Sequence, residues 1–225
     1  MADKAVKSPH FQPVHLGKLR CDFMIDQDDN HLKLVEYNTI ATGMGICWQR
    51  VRDLQDYLQK KYPEYLTPNV QQTNEPILGR NHIFENDHSL NLATAFKQAM
   101  DLYHKHSQTT SGSSWCLIVV EDTETNVGDQ KMIEDSLYKI GVKSMRVTLL
   151  QVASHGKVLP TGSLEVFGRE IALVYYRTGY SDHQFKTPEN NEWCEKRWLA
   201  REMLECSLPV KAPSILGHIT TLKKY

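Results

Sequence analysis

In the second half of the chain, apolar residues alternate between unbroken runs and stripes at helical spacing. Trp115–Val120 is a continuous apolar run, the pattern of a strand covered on both faces. Residues 129–140 instead set Ile133, Leu137 and Ile140 along one side of a helix, with Gly141 placed to end it. Residues 146–152 and 170–176 predict two further strands. Thr187, Pro188 and Glu189 then offer a capping hydroxyl, a proline at the first helical position and an acid near the positive end. They predict a helix reaching about Cys206, with Trp198, Leu199 and Met203 on its buried side. Strand and helix in alternation predict an α/β domain built on a parallel sheet.

The first half is patterned more loosely. Residues 1–17 carry little periodicity and read as a loose arm. Residues 21–26 predict a strand, 27–30 a polar turn and Leu32–Asn38 the hairpin partner. A small-residue loop follows over 39–45. Residues 46–62 read as a helix with Val51, Leu54 and Leu58 at helical spacing, stopped by Pro63. The stretch 63–89 is rich in Pro, Asn and Gln and is the least structured in pattern. A second helix is expected over 90–104, using Leu92, Phe96, Ala99, Met100 and Tyr103. The polar link 107–114 is the best candidate for a domain boundary, dividing residues 1–110 from 111–220.

Composition narrows the class. In 225 residues, 26 Lys and Arg nearly cancel 27 Asp and Glu, so a net charge of -1 supplies no basic footprint for nucleic acid. No apolar run approaches the roughly 20 residues needed to span a bilayer, and the N-terminus lacks the apolar core of a signal peptide. The five cysteines form no CxxC pair, which argues against a disulfide framework or a structural zinc site. Cys116 and Cys194 are expected as free buried thiols. A cytoplasmic location is the expectation.

Four segments carry candidate chemistry. Glu36 and Asn38 lie two apart on a strand and project to one side, a corner suited to Mg²⁺ shared with phosphates or simply a strand-end hydrogen-bond pair. Gly43 and Gly45 precede a helix, where backbone N–H groups could hold an anion or merely make a tight turn. Glu124, Asn126 and Gln130 follow the carboxyl end of the apolar strand, where open α/β sheets bind ligands, and would equally serve to cap a helix. Arg177, at the end of residues 170–176 and followed by Gly179 and Tyr180, favours a bound carboxylate over a structural salt bridge. Lys223 and Lys224, by themselves, read as solvated charge.

Taken together, these segments resemble the eukaryotic type of glutathione synthetase. Its Glu-Ile-Asn-Thr-Ile-Ser loop is matched by Glu36-Tyr-Asn-Thr-Ile-Ala41, and its Glu-x-Asn-x-x-Asp-Gln by Glu124-Thr-Asn-Val-Gly-Asp-Gln130. Val174-Tyr-Tyr-Arg-Thr-Gly-Tyr180 matches a third motif, and Val210-Lys-Ala-Pro-Ser-Ile followed by Lys223-Lys224 falls in the same order and spacing. The resemblance runs from about His15 onward. Ala41 and Gly43 stand where the family often has serines, and Thr178 where an acid is frequent.

The resemblance implies an ATP-dependent ligase of the ATP-grasp type that joins γ-glutamylcysteine to glycine through an acyl phosphate. The fold it implies is a Rossmann-like parallel-sheet substrate-binding domain plus a partial ATP-grasp-type body, with residues 221–225 opening the ATP-binding segment. By that similarity Glu36 and Asn38 would face Mg²⁺ and ATP, and Lys223 would reach a nucleotide phosphate. Arg20, the loop of Ala41, Thr42 and Gly43, then Glu124, Thr125, Asn126 and Gln130, and finally Arg177, Thr178, Gly179 and Tyr180 would hold γ-glutamylcysteine. The family continues beyond the point matched by Tyr225 with a glycine-rich ATP lid, and its members are typically homodimers. The chain therefore corresponds to the central part of such an enzyme. A non-catalytic γ-glutamylcysteine-binding or dimerising module is the alternative.

Overall fold

The computed structural model describes residues 1–62, 87–107, 113–187, 191–220 and 222–223. The first half contains α1 (Ala2–Val6), the hairpin strands β1 (Arg20–Ile25) and β2 (Leu32–Asn38), α2 (Gly45–Lys61) and α3 (His88–Ser107). The second half runs β3 (Trp115–Val120), α4 (Val127–Lys139), β4 (Ser144–Thr148), α5 (Leu149–His155), β5 (Gly156–Val158), β6 (Leu164–Val166) and β7 (Arg169–Tyr176). A 3₁₀ turn at Asp182–Phe185, α6 (Glu195–Glu205), β8 (Val210–Ala212), α7 (Ile215–Ile219) and β9 (Leu222–Lys223) complete the order.

The apolar runs form the centre of the larger sheet. β3 lies between β4 and β7, parallel to both, and β8 pairs in parallel with the second half of β7. On the same edge of β7, β6 and then β5 add antiparallel strands, so the sheet is mixed where the pattern predicts a parallel one. Their short length hid β5, β6 and β8 from a periodicity reading.

Both faces of this sheet are covered, which explains the unbroken runs. Cys116 and Ile118 pack with Leu173 and Tyr175 beneath α3 and α4, against Phe96, Tyr103, Ile133 and Leu137. Leu117 and Val119 point the other way, with Val174 and Tyr176, toward Val152, Ala200 and Leu204 of α5 and α6. Helix α3, on the N-terminal side of the polar link, is thus part of the sheet's own core. Phe96 meets the Tyr175 ring edge-on at 5.0 Å, and Tyr103 donates to Glu170 at 2.7 Å. Residues 108–112 of that link, and 63–86, lie outside the described residues.

Three local expectations change. The run 146–152 is not one strand: Thr148 ends β4 and opens α5, its hydroxyl accepting from the Gln151 N–H in a capping box. The Thr-x-x-Gln spacing carried that information. The helix expected from Thr187 begins at Glu195, because Lys186 and Trp193 pair as an antiparallel bridge ahead of it; Pro188 and Glu189 lie outside the described residues. Cys194 is accordingly a half-buried residue at the helix entrance, while Cys116 is fully buried and all five thiols are free.

The N-terminal arm is docked rather than loose. Ala5 is buried, Ser8 donates to the Cys206 carbonyl at 3.1 Å and Gln12 to that of Leu208. The Leu16 N–H donates to Lys211 at 3.3 Å, extending the β8 edge. Hydrogen bonds to the backbone around β8, invisible to a hydropathy pattern, hold it there.

The smaller sheet is antiparallel, in the order β1-β2-β9. It leaves Phe23, Met24, Ile25 and Leu32 exposed, and the Val51 and Leu54 stripe of α2 faces outward as well. Among the described residues, no helix is long and apolar enough to cross a membrane.

Candidate functional site

The hairpin register gathers a polar cluster. Arg20 lies opposite Asn38 and Asp22 opposite Glu36, and the two-residue period of a strand puts all four on one face. Arg20 grips Asp22 with two hydrogen bonds, 2.7 Å from Nε and 2.9 Å from Nη2, and its Nη2 stands 3.8 Å from Glu36. Asn38 donates to Glu36 at 2.8 Å and to Asp22 at 3.2 Å. The hydrogen bond from Arg20, with its charge, holds the Asp22 carboxyl below its usual range against the opposing effect of desolvation. Asp22 was missed in the sequence; its two-residue spacing from Arg20 was the available clue.

This corner can supply only part of a metal shell. Among the described residues, no group of three or more His, Cys, Asp or Glu side chains is gathered to hold a metal. Asp22 is already gripped by Arg20, and the Asn38 amide turns its NH₂ toward the carboxylates. A carboxylate and, with its amide turned over, an amide oxygen remain. That donor set suits Mg²⁺, which binds through one or two protein oxygens while phosphates and water fill the rest. β9 pairs antiparallel with β2 in a register that sets Lys223 opposite Glu36.

The loop after β2 ties this sheet to the larger one. Thr39 donates to the His218 carbonyl and Thr42 to that of Lys18, both at 3.4 Å, while the Tyr175 hydroxyl donates to the Thr42 carbonyl at 3.2 Å. Ala41 and Met44 take left-handed backbone, at φ 51° and 69°. Gly43 is needed for closeness: a Cβ there would stand 2.8 Å from Arg177 Nη2. The Met44 N–H, at the mouth of α2, donates to Asp129 at 3.2 Å. The helix N-terminus expected to cradle an anion thus faces a carboxylate of the chain itself.

Asp129 also answers part of the question about Arg177. The two form a buried ion pair at 3.0 Å, with side chains 1% and 4% exposed respectively. Burial pulls the Arg177 pKa down, but Tyr175, Asp129 and Glu124 outweigh it and leave the guanidinium firmly charged. Among the described residues its Nε has no hydrogen-bond partner. Nearby, Glu124 accepts from the Asn126 N–H at 2.9 Å and from the Gln130 amide, whose oxygen takes a 3.3 Å bond from Arg146. Thr125 is exposed. Thr178 is buried and donates to Glu121. Gly179 adopts φ 83°, and the N–H groups of Gly179, Tyr180 and Ser181 all converge on the Gln184 side-chain oxygen.

A cavity of about 370 Å³ opens between the two sheets, lined by Arg20, Asn38, Thr39, Ile40, Ala41, Tyr180 and His218. It joins four of the residues singled out in the sequence. Glu124, Asn126, Gln130 and Arg177 do not line it; Glu124 and Asn126 are partly buried, Gln130 and Arg177 are buried, and the Arg177 guanidinium stands against Gly43. His218 was missed. Desolvation, then the nearby Arg201 charge, lowers its pKa and keeps the imidazole neutral, and among the described residues its Nδ1 has no hydrogen-bond partner.

Residues 114–220 match the family model of eukaryotic glutathione synthase. Over that stretch the chain is similar to that enzyme. It is 29% identical over 238 residues to the glutathione synthetase of Dictyostelium discoideum, covering 98% of this chain and 44% of that protein. The glutathione synthetase large chain of Schizosaccharomyces pombe is 28% identical, covering 97% and 44%, and human glutathione synthetase is 28% identical, covering 95% and 40%. The chain therefore spans less than half the length of these glutathione synthetases. A solved structure of a glutathione synthetase-like effector from Globodera pallida superposes with a TM-score of 0.69 over 96% of this chain and 46% of that one, at 18% identity. At that identity the match concerns the fold.

Proposed function

We propose that this chain is the γ-glutamylcysteine-binding portion of a glutathione synthetase-type, ATP-dependent ligase. The observation that carries the reading is the convergence of Arg20, Asn38 and Ala41 with Tyr180 in one cavity, from positions as much as 160 residues apart. γ-Glutamylcysteine brings two carboxylates, an ammonium and a thiol. Arg20 offers a half-exposed cation and Tyr180 a half-exposed phenol, and the buried Arg177 guanidinium stands against Gly43. Glu124 would supply negative charge for the ammonium.

In the reaction proposed, a cysteinyl carboxylate oxygen takes the γ-phosphoryl group of ATP, releasing ADP. The glycine amine then attacks the acyl carbon and phosphate leaves. Glu36 and Asn38 would hold Mg²⁺, which neutralises phosphate charge during the transfer. Arg20 and Tyr180 would keep the cysteinyl end in place, and Lys223 would face the nucleotide phosphates. The rival reading is a module that binds γ-glutamylcysteine or dimerises without catalysis.

Thermal melting of the 225-residue chain tests the first step. Millimolar γ-glutamylcysteine is expected to raise Tm, and Arg20→Ala to abolish that rise. No shift in the unaltered chain overturns the assignment. ADP release with γ-glutamylcysteine, glycine and Mg-ATP then separates the two readings: turnover supports the ligase, and stabilisation without turnover supports the binding module.

A further inference from the structure

The N–H groups of Gly179, Tyr180 and Ser181 point at one atom, the side-chain oxygen of Gln184, at 2.8, 2.8 and 3.3 Å. Successive backbone N–H groups that converge in this way form a nest, a concavity that in other settings collects anions. Three donors on a single atom require an acceptor, so the carboxamide presents its oxygen to the loop and turns its NH₂ away. Gln184 is buried, and its oxygen stands where an anion would. It does so without bringing a net charge into the interior.

Both sides of this contact are held from α6. Arg197 donates from Nη1 to the Gln184 carbonyl at 3.2 Å and pairs with Asp122, which fixes the backbone carrying the carboxamide. Arg201 donates from Nη1 to the Gly179 carbonyl at 3.2 Å. Gly179 is thus held at its N–H by Gln184 and at its carbonyl by Arg201. Its φ of 83° lies where a side chain is strained, and a Cβ there would stand 2.8 Å from Arg201 Nη1.

Tyr180 is the residue this scaffold presents. It is half-exposed and lines the cavity that Arg20 and Asn38 also line. Its phenol keeps two torsions of its own, so the backbone beneath it is the part that can be ordered in advance. Ordering that backbone before the ligand arrives removes a cost from binding.

We propose that Gln184 is a positioning residue for γ-glutamylcysteine, its oxygen filling the nest of residues 179–181 and so setting the Tyr180 phenol in the cavity wall. The choice of ligand rests on the function proposed above; the pinning of the loop does not.

Calorimetric titration of the 225-residue chain with γ-glutamylcysteine tests the role. Gln184→Met keeps the length of the side chain and removes the acceptor, and a loss of about tenfold in affinity is expected, the worth of one or two hydrogen bonds. Gln184→Glu keeps an oxygen in the nest and should bind within about threefold of the unaltered chain. In a Tyr180→Ala background, where the phenol is already gone, Gln184→Met should weaken binding by less than about twofold more. Without ligand, exchange of the Gly179, Tyr180 and Ser181 amides should speed by at least about tenfold in Gln184→Met while Ile118 and Val119 of β3 stay protected. Should those strand amides lose protection as well, Gln184→Asn, shorter by one methylene, takes its place. Unchanged affinity in Gln184→Met, an equal loss in the Tyr180→Ala background, or unprotected 179–181 amides in the unaltered chain each overturn the role of Gln184. No binding by the unaltered chain overturns the ligand, and amide exchange then decides whether Gln184 holds the loop.

Discussion

The hairpin and the parallel strands hold charged groups by opposite means. Arg20 and Asp22 pair on an open sheet face, their side chains 46% and 37% exposed. Arg177 and Asp129 pair at nearly the same distance, and almost no water reaches them. β1 has five exposed residues of six, whereas the last five of β3 are all buried. An exposed pair contributes about 0–1 kcal/mol and can rearrange around an incoming ligand. A buried pair gains little against an apolar substitute, yet removing one partner strands the other. One half of the candidate site is therefore adaptable, and the other is a fixed wall.

Asp129→Ala tests the wall most severely. It leaves Arg177 charged and buried, and removes the acceptor of the Met44 N–H at the mouth of α2. A loss of about 3–5 kcal/mol in urea unfolding is expected. Replacing both partners by apolar residues, Asp129→Leu with Arg177→Met, should recover much of it. A loss below about 1 kcal/mol for the single change would erase the contrast between the two halves.

Lys211 sharpens the same contrast through pH. It lies on β8 with the side chain buried, donates to the Ser207 carbonyl, and desolvation lowers its pKa to about 8 despite the attraction of Glu205. Its folded pKa is below the unfolded value of about 10.4, so between pH 8 and 10.4 the unfolded chain binds the extra proton. The destabilisation this lysine imposes is full below about pH 8 and fades as pH rises. Burial raises the Cys116 and Cys206 pKa values, which pulls overall stability the other way at alkaline pH. The comparison with Lys211→Met isolates the lysine. Relative to that variant, the unaltered chain should gain roughly 3 kcal/mol across the window. A pH-independent difference would show that the lysine is not charged-and-strained at neutral pH.

Gly43→Ala probes the seam between the halves. The added methyl would sit 2.8 Å and 2.9 Å from the Arg177 nitrogens and 3.2 Å from Asp129. The backbone there is not left-handed, so crowding alone should cost about 1–3 kcal/mol. Because it acts on the same pair, its effect should not add to that of Asp129→Ala. Strict additivity would place Gly43 outside the cluster.

Legibility in the sequence follows the same division. β3, β7 and α4 were readable because a strand covered on both faces must be apolar throughout, and a helix on a sheet needs one apolar side. The short strands β5, β6 and β8 and the docked arm depend on hydrogen bonds to the backbone, which leave no such imprint. Glu36 and Asn38 were readable as a pair from their spacing, but Asp22 belongs with them only through the hairpin register. Asp129 sat inside the recognised motif and its partnership with Arg177 was still hidden. Partnership across 48 residues is a property of topology, and no local pattern encodes it. His218 came into the cavity by the same route, through the short helix after β8.

Arg20→Ala is the mildest change expected and the most informative about the adaptable half. Asp22 would lose its two hydrogen bonds, but its oxygens remain open to water. Stability should fall by no more than about 1 kcal/mol at neutral pH. Asp22 has its pKa lowered by Arg20, so the pair's contribution is present above the ordinary carboxylate pKa of about 3.9 and disappears as pH falls through the lowered value. The unaltered and Arg20→Ala chains should therefore converge in stability in acid. At neutral pH they should differ sharply in one respect, the stabilisation gained from γ-glutamylcysteine. A ligand response kept intact in Arg20→Ala would move the binding determinant from the exposed hairpin to the buried wall around Arg177.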